Sequence, residues 1–146
     1  MNIVVTLKKV LQELINLQHN LKTNIIAVYL FGSFAKGTGK SKSDIDLAFV
    51  FHEKFYKEDP FMALQVAEIF GFEITKKIPK TVDVVILNGT SLSFAYFTVR
   101  EGICIYEQST TERILYEITL YNKYQDFMPF IKELRDIKRK NLIGRD

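Results

Sequence analysis

Asp44 and Asp46 stand at the mouth of an apolar run, Ile45 to Phe51, that has the length and composition of a buried strand. Successive side chains of a strand point to opposite faces, so the two carboxylates project together while Ile45 enters the core. They lie roughly 6 to 7 Å apart along the backbone, a costly pairing of like charges without a cation. A second apolar run, Ile25 to Phe31, ends at Gly32-Ser33, and a third, Thr81 to Leu87, carries Asp83 between two valines. That context predicts a buried Asp83, whose carboxylate needs a partner. If the second and third of these strands in chain order are neighbours, all three carboxylates converge at one sheet edge.

Helical patterns alternate with these runs. Leu7, Val10, Leu11, Leu14, Leu17 and Leu21 have the spacing of one apolar helix stripe. Asp59-Pro60 supplies an N-cap and a first-position proline for a helix expected to end at Gly71. Ser91 to Glu101 reads as a further helix, closed by Gly102 and leading into a short strand, Ile103 to Tyr106. Thr110 to Asp126 and Pro129 to Asn141 read as two helices, divided where proline would break a continuous one. The alternation predicts an α/β (α+β) fold with a small sheet over residues 1–107, and a helical extension, residues 108–146, packed on the same domain.

A chain of 146 residues is long enough for one hydrophobic core and too short for two full domains. Its net charge of +3 is concentrated at the end: from Phe130 onward six basic residues face three acids, which leaves the rest neutral. Six positive charges with acids interspersed make no continuous patch, so nucleic acid is not expected as a partner. The start of the chain has the wrong order and length for a secretory signal, and no stretch approaches a membrane span, so a cytoplasmic location is expected. One cysteine, Cys104, excludes an internal disulfide or a cysteine-built zinc site and reads as a buried thiol. His19 and His52 read as surface or packing residues. The aromatic group Tyr116, Tyr121, Tyr124, Phe127 and Phe130 reads as packing for the terminal helices, with a partner surface as the alternative.

Three hard oxygen donors suit Mg²⁺, which takes one or two carboxylates and completes its shell with substrate phosphates and water. Two ions bridged by the paired aspartates would activate an attacking hydroxyl and hold the leaving phosphate oxygens. Gly32-Ser33 fits the phosphate side of that chemistry, because glycine lets the backbone approach an anion and a turn presents N–H groups to it. Lys36, Lys40 and Lys42 add positive charge close by. The combination points to phosphoryl or nucleotidyl transfer.

Gly32-Ser33, ten intervening residues, then Asp44-Ile45-Asp46, resembles the signature of the nucleotidyltransferase superfamily that includes DNA polymerase β, and Asp83 matches its separate third carboxylate. The order of elements over residues 5 to 106 is similar as well. At this length the chain resembles the minimal nucleotidyltransferases, in particular the antitoxin partners of HEPN ribonuclease toxins. The resemblance implies a small mixed sheet flanked by helices, with Asp44 and Asp46 holding two Mg²⁺ ions and Asp83 helping to activate the acceptor hydroxyl. It implies Gly32 and Ser33 as triphosphate contacts, with Ser43 a further candidate. At Lys36 the family usually has arginine; lysine keeps the charge but loses the bidentate fork. The implied activity is transfer of AMP from ATP to a tyrosine of a HEPN-type toxin, within a hetero-oligomeric complex. A small-molecule nucleotidyltransferase of the aminoglycoside type, and an antitoxin that acts by occlusion without catalysis, are the alternatives.

Overall fold

The computed structural model describes residues 2–17, 24–39 and 43–143. Helix α1 (Ile3–Leu17) buries Leu7, Val10, Leu11, Leu14 and Ile15. Leu17, expected on the same stripe, is exposed, and Leu21 lies outside the described residues. Strands β1 (Ile25–Phe31) and β2 (Ile45–Phe51) fall where their apolar runs predict. Helix α2 (Glu53–Glu58) buries no residue, and so leaves no apolar pattern from which the sequence could announce it. Helix α3 (Pro60–Lys77) begins as expected: the Asp59 carboxylate accepts a hydrogen bond from Met62 N–H at 3.1 Å, and proline occupies the first turn. It does not end at Gly71. Gly71 lies inside the helix, where a Cβ would stand 3.1 Å from Val84 Cγ1 of the neighbouring strand, so this glycine serves close helix-to-sheet packing.

Strand β3 (Val82–Ile86) leads through a short 3₁₀ turn to helix α4 (Leu92–Glu101), capped by Ser91, whose hydroxyl accepts from Phe94 N–H at 3.1 Å. After Gly102 comes β4 (Ile103–Glu107). The last element is a single helix, α5 (Thr110–Ile143), and not two. Pro129 stands within it, in a stretch that is mostly exposed, where water can satisfy the carbonyl bond that proline cannot make.

The sheet order is β3-β2-β1-β4. β1 pairs antiparallel with both β2 and β4, while β2 and β3 are parallel, which makes a mixed sheet as expected. One core lies between the sheet and α1 with α3, built on Ile45, Leu47, Phe49 and Phe51 of β2 and on Leu11, Phe70 and Ile74. The other lies beneath α4 and α5 and takes the alternate positions Ala48 and Val50 with Tyr29, Ala95 and Leu120. Within it Tyr29 donates to Glu117 Oε1 at 2.7 Å, and Arg113 links Glu117 to Glu107. Tyr96 and Tyr124 stack at 3.8 Å, whereas Tyr121, Phe127 and Phe130 of the same aromatic group are exposed. No helix among the described residues is long and apolar enough to cross a membrane.

Candidate active site

Strand alternation decides which face carries the acids. Ile45, Leu47 and Phe49 point into the core under α1 and α3, so Asp46 belongs with Ala48 and Val50 on the face covered by α4 and α5. On β3 the same holds: Val82 and Val84 pack toward the α1 side, and Asp83 shares the α4 side with Val85. In the parallel β2–β3 register Asp46 is opposite Asp83, which puts the two acids side by side on one face. Asp44 lies two positions before Asp46, just outside the strand, and is exposed.

Asp83 is not buried. β3 is an edge strand, and the aspartate is open to solvent there, although its sequence neighbours are valines. A strand at the rim of a sheet can carry a buried-looking sequence on one face while the other stays wet. Asp46 is the more enclosed acid. Its carboxyl is held above the usual carboxylate range, first by burial, then by the charges of Asp83 and Asp44. Among the described residues no three such side chains form a ready-made metal cage. The donor set nevertheless fits Mg²⁺: a half-buried carboxylate raised by two like charges is relieved by a cation, and this ion takes only one or two carboxylates when phosphates complete its shell.

The Gly32-Ser33 turn closes the site. Phe31, the last residue of β1, is in register with Asp46, so Gly32 follows directly beside that carboxylate. Gly32 has φ +76, and a Cβ there would collide with Asp46 Oδ2. Only glycine satisfies both the backbone and the acid. From Gly32 the chain makes one helical turn: its carbonyl accepts from Lys36 N–H at 3.2 Å, and the Ser33 carbonyl accepts from Thr38 N–H at 2.9 Å.

Ser33 and Ser43 are half-buried, on either side of the loop that joins β1 to β2. Lys36 is exposed and turned toward α4, where its Nζ lies 3.9 Å from Glu101 Oε2. Lys40 and Lys42 lie outside the described residues, as does His19. His52 sits at the opposite end of β2, 2.9 Å from Gln108 Oε1 and 3.3 Å from Glu112 Oε2. The Cys104 thiol, half-buried, donates to the Tyr106 carbonyl. Neither His52 nor Cys104 is near the aspartates in the sheet register. Phe31, the register partner of Asp46, borders the site without having been singled out by its sequence; the only signal is its place as the last residue of the run before Gly32.

Comparison with known proteins places this geometry. A protein adenylyltransferase, MntA, from Aphanizomenon flos-aquae is 36% identical over 87 residues, which cover 57% of this chain and 57% of the relative. The chain thus matches little more than half the length of that curated relative. A crystal structure of a toxin–antitoxin with AMP-PNP superposes with a TM-score of 0.63 at 19% identity, over 88% of this chain and 98% of the other. A tri-AMPylated Shewanella oneidensis HEPN toxin in complex with MNT antitoxin gives 0.58 at 16% identity, over 91% and 98%. At these identities the two structures establish the shared fold. Residues 12–111 match the family described as Polymerase beta, Nucleotidyltransferase, and since that match takes in the Gly-Ser turn and all three aspartates, the chain belongs to this family.

Proposed function

We propose that this protein is a Mg²⁺-dependent protein adenylyltransferase, an antitoxin that moves AMP from ATP to a tyrosine hydroxyl of a cognate HEPN-type toxin. The observation that carries the reading is the in-register pairing of Asp46 with Asp83 beside a glycine that has no room for a side chain. The adenylyltransferase and toxin–antitoxin relatives support the same direction.

Asp44, Asp46 and Asp83 would hold the metal, and Gly32 and Ser33 the triphosphate. Ser43 stands at the strand mouth and Lys36 at the far side of the turn as weaker phosphate contacts. Bound Mg²⁺ would neutralise phosphate charge and acidify the acceptor hydroxyl. Asp83, exposed at the sheet edge, is the acid that an incoming acceptor meets, and its carboxylate takes the hydroxyl proton. The acceptor oxygen then forms its bond to the α-phosphorus, the bond from that phosphorus to the bridging oxygen breaks, and pyrophosphate leaves. Residues 1–107 form the catalytic domain in this reading, and residues 108–146 its helical extension, anchored through Leu120 and Tyr124.

The test is labelling of a co-purified HEPN-type toxin with α-labelled ATP and Mg²⁺, by the wild type and by an Asp44→Asn/Asp46→Asn variant. Equal labelling by a folded double variant overturns the assignment. One observation favours a second contribution, neutralisation by occlusion: α5 exposes Ile114, Leu115, Ile118, Phe127 and Phe130, apolar surface available to a partner. Toxin neutralisation by Asp46→Asn at normal expression would show it.

A further inference from the structure

The sheet has two free edges. One is β3 with Asp83; the other is β4, separated from it by β2 and β1. Beside β4 runs a groove of about 650 Å³, walled by one stripe of α1, namely Val5, Lys8, Lys9 and Gln12 at i, i+3, i+4 and i+7. The edge of β4 is its floor, and Arg113 of α5, fixed by Glu107 and Glu117, stands opposite. Val5 is 61% exposed. Lys8 and Lys9 are exposed and form no ion pair among the described residues. Tyr106, also lining the groove, is only 6% exposed, yet its hydroxyl has no hydrogen-bond partner among the described residues. A buried hydroxyl left in that state calls for a partner from outside the fold.

We infer that this groove is a docking site for an extended segment of another protein that carries acidic side chains, and that the segment lies along β4 as an added strand. Strand addition takes its affinity from main-chain hydrogen bonds and its specificity from the side chains beside the edge. β4 offers the main-chain groups. Gln108 N–H donates to the Ile26 carbonyl at 2.9 Å, so the next pair of the antiparallel ladder, Ala27 with Glu107, is a non-hydrogen-bonded one. Glu107 therefore turns its N–H and C=O away from β1, toward the groove. The five residues of β4 match an added strand of about the same length, roughly 17 Å.

Charge selects the occupant. Lysines often guard an edge strand from the strand itself. Here they stand on the neighbouring helix, while the one charged side chain of β4, Glu107, is already held by Arg113 and Thr110. The result is a positive rim above an open edge, which repels a basic strand and receives an acidic one. A second copy paired symmetrically here would bring its own Lys8 and Lys9 against these two. An isolated phosphate would use the lysines and leave Val5 and the main-chain edge uncovered. Burial pushes the pKa of the Tyr106 hydroxyl up, so it stays protonated and can donate to a carboxylate or a peptide carbonyl of the incoming strand.

The probe is a random heptapeptide library displayed on phage, with the full chain as bait and its Lys8→Glu/Lys9→Glu variant as counter-bait. Both lysines are exposed, so the variant should melt like the wild type. Selected peptides should be rich in Asp and Glu, and synthetic copies should bind the variant at least roughly tenfold more weakly. A proline at the centre of such a peptide should abolish binding, because it removes a main-chain donor. Tyr106→Phe deletes an orphaned hydroxyl, so it should melt no lower than the wild type and bind the peptide roughly fivefold more weakly. Selection of no acidic peptide, equal binding to both baits, or tolerance of the central proline overturns the inference. Displacement of the peptide by inorganic phosphate reassigns the groove to a small anion, and self-association lost in the double variant reassigns it to a second copy; either result overturns it as well. Unchanged peptide affinity in Tyr106→Phe overturns the role given to that hydroxyl.

Discussion

Gly32 and Asp46 share a space that only one side chain can occupy: a Cβ on the glycine would sit within the van der Waals shell of Asp46 Oδ2. The glycine of the signature is therefore a steric condition on the carboxylate as well as a flexible point in the backbone.

Two glycines separate these roles. Gly32 and Gly37 have nearly the same positive φ, +76 and +74, but a Cβ at Gly37 would meet nothing within 4 Å. Gly37→Ala should cost about 1 kcal/mol of stability, from the left-handed backbone alone, with toxin labelling retained. Gly32→Ala should cost at least about 1 kcal/mol more and abolish labelling, because Asp46 must move. Urea denaturation beside a labelling assay distinguishes the two; equal effects at both positions would refute the steric role.

Asp46 should work against the metal-free fold at neutral pH. Its folded carboxyl is raised by burial, Asp83 and Asp44, so the folded state binds a proton more tightly than the unfolded chain. Stability from this group is therefore gained as pH falls through the folded value and is absent at neutral pH. Asp46→Asn should accordingly raise Tm at pH 7 without Mg²⁺, by up to about 3 °C, corresponding to about 1 kcal/mol for a chain of this size and less where solvent screens the pair. That advantage should shrink as pH falls through the raised folded value and be gone below the ordinary carboxylate range. Mg²⁺ should raise the Tm of the wild type more than that of the variant.

Gly71 admits little growth. Its Cβ position lies 3.1 Å from Val84 Cγ1 and 3.5 Å from Val82 Cγ1, so Gly71→Leu would press α3 away from the strand that holds Asp83. A loss of about 1 to 3 kcal/mol is expected, and toxin labelling should fall with it although no site residue has changed. Thermal melts and labelling on the same variant measure both.

Pro129 removes one bond from α5 without ending it. Pro129→Ala should strengthen the helix by up to about 3 kcal/mol locally. Hydrogen exchange in residues 125–141 should slow, while exchange in β1 and β2 stays as it was.

Particular positions also mark where the sequence was legible. The Asp59 cap, the three apolar runs and the Gly-Ser turn each act through their immediate neighbours, so spacing alone revealed them. Gly71 reads as a helix end by local rules, and its real reason, Val84, is a residue on another element. Proline is most disruptive where the freed carbonyl is also buried; along exposed α5 water takes that carbonyl, so the helix bears the remaining local cost of the ring and continues, and sequence carries no record of which side is wet. The apparent burial of Asp83 failed for a related cause. Two valines predict one covered face, and only the strand order reveals that the strand lies at the rim.

The acids are divided between a central strand and an edge strand, and this gives the site a breaking point of its own. β2 is hydrogen-bonded on both sides and shares in the global cooperativity of the fold; β3 has one neighbour and can detach by a local opening of smaller free energy. Such an opening would part Asp83 from Asp46 while Asp46 stays beside Gly32, so nucleotide could remain bound when transfer has stopped. On the proposed reading, transfer then depends on the protection of five residues, 82–86, and a mutation that strengthens the pairing of β3 with β2 while leaving Asp83 open to the acceptor would raise turnover without touching a single ligand.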